Sequence, residues 1–179
     1  MPPWGSSHYL FGKSGRTQEP ALSKDPADAG RALRQMVLST SPAEFGANPT
    51  NEFPRVYGVL MDWPIGDIVA TVFSSSTGAA SLYTTSTFGV IGGEGHAAVR
   101  AAAIAFVRAA DRLYDSATPT TTYPYPGSDR VRFYLLTFEG VRVVETDFAS
   151  IGSRTNEYIE YFDLGQAVLT ELRLVTERR

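Results

Sequence analysis

Residues 55–91 read RVYGVLMDWPIGDIVATVFSSSTGAASLYTTSTFGVI. Val56, Gly58, Leu60 and Asp62 alternate with Tyr57, Val59, Met61 and Trp63, and both sets carry large apolar side chains, so the period is that of a strand buried on both faces near its middle. Pro64-Ile65-Gly66-Asp67 turns the chain, residues 68–75 return as a second strand, and Thr77-Gly78 connects that strand to a third over 80–91. Two consecutive hairpins of this kind make an antiparallel sheet.

The flanking sequence supplies the helices that cover it. Upstream, Asp25 is placed to cap a helix with Pro26 at its first position and Asp28 near its positive end. Ala29, Leu33, Met36 and Val37 give that helix an apolar stripe, and Ser41-Pro42 ends it. The stretch through Gly46, Asn48, Pro49, Asn51 and Pro54 has the composition of a loop. Downstream, Gly89, Gly92, Gly93 and Gly95 close the third strand, and a long alanine-rich helix is expected from His96 to Tyr114. Its apolar face carries Val99, Ala103, Phe106, Val107, Ala110, Leu113 and Tyr114, and its polar face Arg100, Arg108 and Arg112.

Prolines at 119, 124 and 126 exclude helix or central strand from residues 116–129. A further hairpin follows, with Val131 to Leu136 turning at Glu139-Gly140 and returning from Val141 to Phe148. Residues 150–158 read as a polar loop. Asp163 with Gln166 three residues on matches a capping box for a last helix, whose stripe is Leu164, Val168, Leu172 and Val175.

The expected order is therefore α-β-β-β-α-β-β-α, an α+β fold in which two to three helices pack on an antiparallel sheet of about five strands. In plan this resembles the profilin-like and roadblock-type domains. No shared motif accompanies the resemblance, so it implies architecture and not activity. Residues 1–24 are rich in Pro, Gly and Ser and read as an N-terminal arm; residues 25–179 read as a single domain.

Composition narrows the chemistry. The chain has 179 residues, 43% of them hydrophobic, enough for one domain with one substantial core. With no cysteine, thiol nucleophiles, disulfides and cysteine metal sites are excluded. The two histidines, His8 and His96, are too far apart for a metal-binding helix motif, and neither a metal nor a cofactor is expected. A net charge of −3 lacks the basic footprint of a nucleic-acid binder. Among the cationic residues only Lys13 and Lys24 are lysine, and the rest are arginine. No apolar run is long enough to cross a membrane and the N-terminus does not read as a secretory signal, so a cytoplasmic protein with no membrane partner is expected.

Two sets of candidate functional residues remain. One is the turn from strand to helix, Gly92, Gly93, Gly95 and His96 with Arg100 one turn inside, where free N–H groups and the positive end of a helix suit an anion. Gly93, Gly95 and Ala98 fit the looser dinucleotide fingerprint, but that motif needs a parallel βαβ unit and hairpins precede this helix. The plain alternative is a strand turning tightly into a helix packed on its own sheet. The other set is aromatic: Trp4, Tyr9 and Phe11 in the arm, and Tyr123 and Tyr125 in a Tyr-Pro-Tyr-Pro run that serves either as a stiff surface for a partner or as a crossover from helix to sheet. No catalytic set assembles in the sequence. The first expectation is a non-enzymatic module that binds another protein, or itself, through a sheet edge or the arm; the alternative is a small-ligand or anion binder at the glycine turn.

Overall fold

The computed structural model describes residues 26–86, 89–91 and 95–177. The arm with Trp4, Tyr9 and Phe11, the helix cap expected at Asp25, and Gly92 and Gly93 lie outside the described residues.

Helix α1 (Pro26–Ser39) precedes strands β1 (Val56–Ile65), β2 (Ile68–Ser75), β3 (Ala80–Thr84) and β4 (Val90–Ile91). Helix α2 (Ala97–Ala110) runs on into a 3-10 turn at Asp111–Leu113 and is followed by β5 (Thr118–Pro119), β6 (Arg130–Thr137), β7 (Gly140–Asp147), the short α3 (Phe148–Gly152) and α4 (Ile159–Glu177). The sheet is antiparallel throughout, in the order β4-β3-β2-β1-β6-β7-β5. Five long strands thus carry the fold, and a two-residue strand closes each edge.

β1 sits at the centre and is buried from Val56 to Pro64, as its doubly apolar sequence requires. Strict alternation fails at its start, because the register shifts between Val56 and Gly58. This bulge puts Val56 with Val59, Met61 and Trp63 in the larger core, beneath α2 and α4, and turns Tyr57 and Leu60 to the α1 face. Gly58 is needed there, since a Cβ at that position stands 3.1 Å from Leu136 Cδ1 and 3.3 Å from both Phe73 Cε2 and the Ser74 carbonyl. On the larger face α2 buries Val99, Ala103, Phe106, Val107 and Ala110, and α4 buries Val168 and Leu172. The sheet therefore lies between two layers of helix.

Four local readings are corrected. The expected third strand over 80–91 divides into β3 and β4, which pair antiparallel with each other; Gly89 makes the return possible, because it crosses so close to the Leu82 carbonyl that no Cβ fits. In α1 the buried side chains are Leu33, Arg34, Val37 and Leu38, while Met36 is 54% exposed, so the stripe is rotated from the one expected. Residues 150–158 are not all loop: Asp147 caps α3 by accepting the N–H groups of Ala149 and Ser150. Asp163 is not a cap. The last helix begins at Ile159 behind Asn156, whose side chain accepts the Tyr158 N–H at 2.7 Å; Asp163 lies inside the helix and pairs with Arg154 at 2.9 Å. The extra turn brings Tyr161 against Phe133 and Phe162 against Trp63, contacts that outweigh a capping box.

The β2–β3 turn generates a prediction. Gly78 has φ +92° and lies under the stem of Arg100, so Gly78→Ala is strained by its backbone and by its neighbour together. Urea denaturation is expected to show a loss of about 1–3 kcal/mol. Because the backbone term persists when the stem is removed, Gly78→Ala is expected to remain destabilising in an Arg100→Ala background.

Candidate functional site

At the start of α2, His96 occupies the N-cap position with extended backbone, φ −118° and ψ 113°, and its side chain makes no capping hydrogen bond. Its carbonyl accepts the Arg100 N–H at 3.0 Å. Gly95 is exposed with open space around it, and Arg100 lies across the β2–β3 turn at Gly78. Of the expected anion turn, then, the described residues Gly95, His96 and Arg100 are adjacent. Asp62 faces α1 on the opposite side of the sheet from α2, where it pairs with Arg34.

The aromatic crossover lies on that α1 face. Its centre is a buried ion pair: the Arg34 side chain is 4% exposed and that of Asp62 0%. Arg34 donates to Asp62 through Nη2 at 2.5 Å and through Nε at 3.1 Å, and the Thr71 hydroxyl donates to the other carboxylate oxygen at 2.5 Å. Burial pushes the Asp62 carboxyl above the ordinary carboxylate range against the pull of Arg34 and Thr71. Burial likewise works against the Arg34 guanidinium, yet Asp62 carries it above its usual value.

The same guanidinium holds the crossover. Arg34 Nη1 donates to the Tyr123 carbonyl at 2.9 Å, and the group stacks over the rings of Tyr125 at 4.2 Å and Tyr134 at 5.3 Å. Beside it, the Pro124 carbonyl accepts from Arg132 at 2.7 Å and from the Tyr134 hydroxyl at 2.6 Å, while Arg132 is itself paired with Glu145. Further back, Thr118 and Pro119 pair with β7, and the Thr120 N–H reaches the Val141 carbonyl at 2.9 Å. Residues 118–125 thus form a strap across the sheet face. Tyr123 and Tyr125 are half-buried in it, Tyr123 edge-on to Tyr134 at 5.8 Å.

Between this strap, the C-terminal end of α1 and the β6–β7 turn lies a groove of about 630 Å³. Its apolar lining comes from Leu38, Pro42, Tyr57, Pro119, Tyr123, Phe138 and Val141, and its polar lining from hydroxyls and from Glu139. Tyr57 packs on Phe138 at 5.4 Å and on Phe45 at 5.8 Å, and its hydroxyl donates to the Thr40 carbonyl at 3.2 Å. Burial, then Tyr123 and Glu44, push its phenol up to about 12, so it is a neutral donor at physiological pH. Glu139 accepts the Tyr114 hydroxyl at 2.7 Å. Sequence reading found one lining residue of the groove, Tyr123, and missed Tyr57, Phe138 and Glu139. The end of α1 stands some 80 residues before the strap and some 100 before the β6–β7 turn, and no local pattern marks that meeting. The ion pair did leave a signal: Arg34 interrupts an apolar helix face and Asp62 an apolar strand, two opposite charges at positions of buried period.

Removing one partner of that pair leaves the other charge buried. Arg34→Met is expected to cost about 3–5 kcal/mol by denaturant unfolding, with faster amide exchange across 120–126. Arg34→Met with Asp62→Leu is expected to recover most of the stability, since no charge then stays buried. Among the described residues no group of three or more His, Cys, Asp or Glu side chains gathers as a metal site, and no helix is long and apolar enough to cross a membrane. No protein-family model, no curated protein and no solved structure matches the chain.

Proposed function

We propose that the domain is a non-enzymatic interaction module that binds another protein by receiving a short extended segment in the groove beside the β5 edge. The carrying observation is the groove itself, a concave surface of about 630 Å³ lined by the three rings of Tyr57, Tyr123 and Phe138 with hydroxyls between them. That volume falls in the range of roughly 300–1,000 Å³ typical of ligand sites. Aromatic walls with a few placed polar groups suit peptide recognition, since tyrosine offers large contact area at small entropic cost.

The sheet edges support the same reading. β4 and β5 are two residues each, so an added strand would find little backbone to pair with on either of them. The groove next to β5 offers side-chain pockets instead. The proposed setting is cytoplasmic, as the sequence suggests, and a second copy of this chain is one admissible source of the segment.

Selection of displayed twelve-residue random peptides on the full chain tests this. Enriched peptides are expected to bind with micromolar affinity and to lose at least tenfold on Thr121→Tyr, which fills the groove from an exposed position. Failure to enrich any peptide, or affinity indifferent to Thr121→Tyr, would overturn the proposal.

A further inference from the structure

The charges around the groove indicate what it takes. Among the described residues its lining includes no lysine, arginine or histidine and one carboxylate, Glu139. Leu38, Ser39 and Thr40 bring the C-terminal end of α1 to its wall. A helix ends there in a partial negative charge, and the last turn of α1 holds no basic residue to offset it. Glu44 stands just outside, accepting the N–H and hydroxyl of the lining residue Ser41 at 2.8 and 2.7 Å.

Elsewhere in the fold negative groups of this sort are already matched by arginine. Asp62 has Arg34, Asp111 and Asp115 have Arg55, and Glu145 has Arg130 and Arg132. Tyr114, which donates its hydroxyl to Glu139, carries Arg55 and Arg142 over its ring at 4.6 and 4.5 Å. Neither lines the groove: Arg55 is committed to its two aspartates, and Arg142 to the carbonyls of Tyr114 and Ala117 at 3.1 Å. Glu139 spends one oxygen on Tyr114. The groove is therefore aromatic, hydroxyl-lined and negative, with no cation among its described residues.

We propose that the groove selects a basic segment of its protein partner, seating one lysine or arginine with its stem along the half-buried rings of Tyr123 and Phe138 and its charged head toward Glu139 and the end of α1. This rests on the groove being a peptide site. The stem supplies apolar contact and the head supplies the charge, the usual division in a long cationic side chain. Affinity would then fall with added salt, because the head stays near water.

The test uses 15N-labelled full chain and blocked hexapeptides that differ at one central position: arginine, lysine, norleucine or glutamate. Arginine and lysine peptides are expected to shift the amide signals of Thr40, Thr121, Glu139 and Gly140 in one saturable series. The norleucine peptide is expected to bind at least tenfold more weakly and the glutamate peptide not at all. Glu139→Gln, which keeps the acceptor for Tyr114, is expected to weaken the arginine peptide three- to tenfold and leave the norleucine peptide unchanged. Equal binding of norleucine and arginine, or no effect of Glu139→Gln, overturns the charge selection while leaving the peptide reading in place. If none of the four moves these signals and display selection also yields no groove binder, both readings fall.

Discussion

Arg34 reaches from α1 through the smaller core to a carboxylate on the central strand, and both groups are removed from water. Desolvating two charges costs several kcal/mol per ion, so the pair persists only because nearly every polar atom finds a partner: two guanidinium nitrogens on Asp62, a third on the Tyr123 carbonyl, and Thr71 on the remaining carboxylate oxygen. Apolar burial is non-directional, whereas a forked guanidinium is not. The pair therefore sets the rotation of α1. At about 100° per residue, turning Arg34 inward carries Leu33, Val37 and Leu38 to the sheet and Met36, two residues on, to the far side. The observed burial follows that order.

The two faces of the sheet are built by different rules. Beneath α2 and α4 the core is almost wholly apolar, from Val59, Met61 and Trp63 through Phe106 and Phe133 to Leu172. The α1 face holds a smaller cluster around Tyr57, Phe73, Tyr83 and Tyr134, completed by the strap. Phenols, carbonyls and charges take the place that a second long helix would fill. A face closed by directional bonds leaves gaps where no bond is required, and the groove between the strap, α1 and the β6–β7 turn is such a gap.

Legibility in the sequence follows the range of the forces. The hairpins of β1–β2 and β6–β7 and the body of α2 are local and periodic, and were legible to within a residue or two. The bulge at Gly58, the return at Gly89 and the five-residue advance of α4 were not. Two depend on partners distant in sequence, Leu136 for Gly58 and Trp63 and Phe133 for the added turn, and the return at Gly89 depends on a close approach to the backbone of Leu82, which no side-chain period marks. The Tyr-Pro-Tyr-Pro run was legible as a crossover by its prolines, but what it crosses was not, because its anchors Arg34 and Arg132 are named by no spacing rule. The glycine turn before α2 shows the converse: its residues announce themselves locally, and the described part shows Arg100 lying across a neighbouring turn.

Preorganisation links the latch to the groove. The wall from α1 is oriented by Arg34, the strap wall is held at Tyr123 by the same guanidinium and at Thr120 by β7, and the floor is the bulged end of β1, where Tyr57 is braced between Phe45 and Phe138. None of these walls needs to be ordered when a ligand arrives, so the entropic cost of association falls mainly on the ligand. A short extended segment makes few contacts and binds usefully only to a surface that is already set. The charge sealed beneath the strap and the carboxylate at the groove thus differ in setting: Asp62, fully desolvated, fixes geometry, and Glu139, near water, is the one that the proposed binding would use. Because a solvated charge contributes chiefly to attraction and choice among partners and a buried one to shape, the proposed binding would draw its selectivity from the groove rim, while rigidity resides in the core below it.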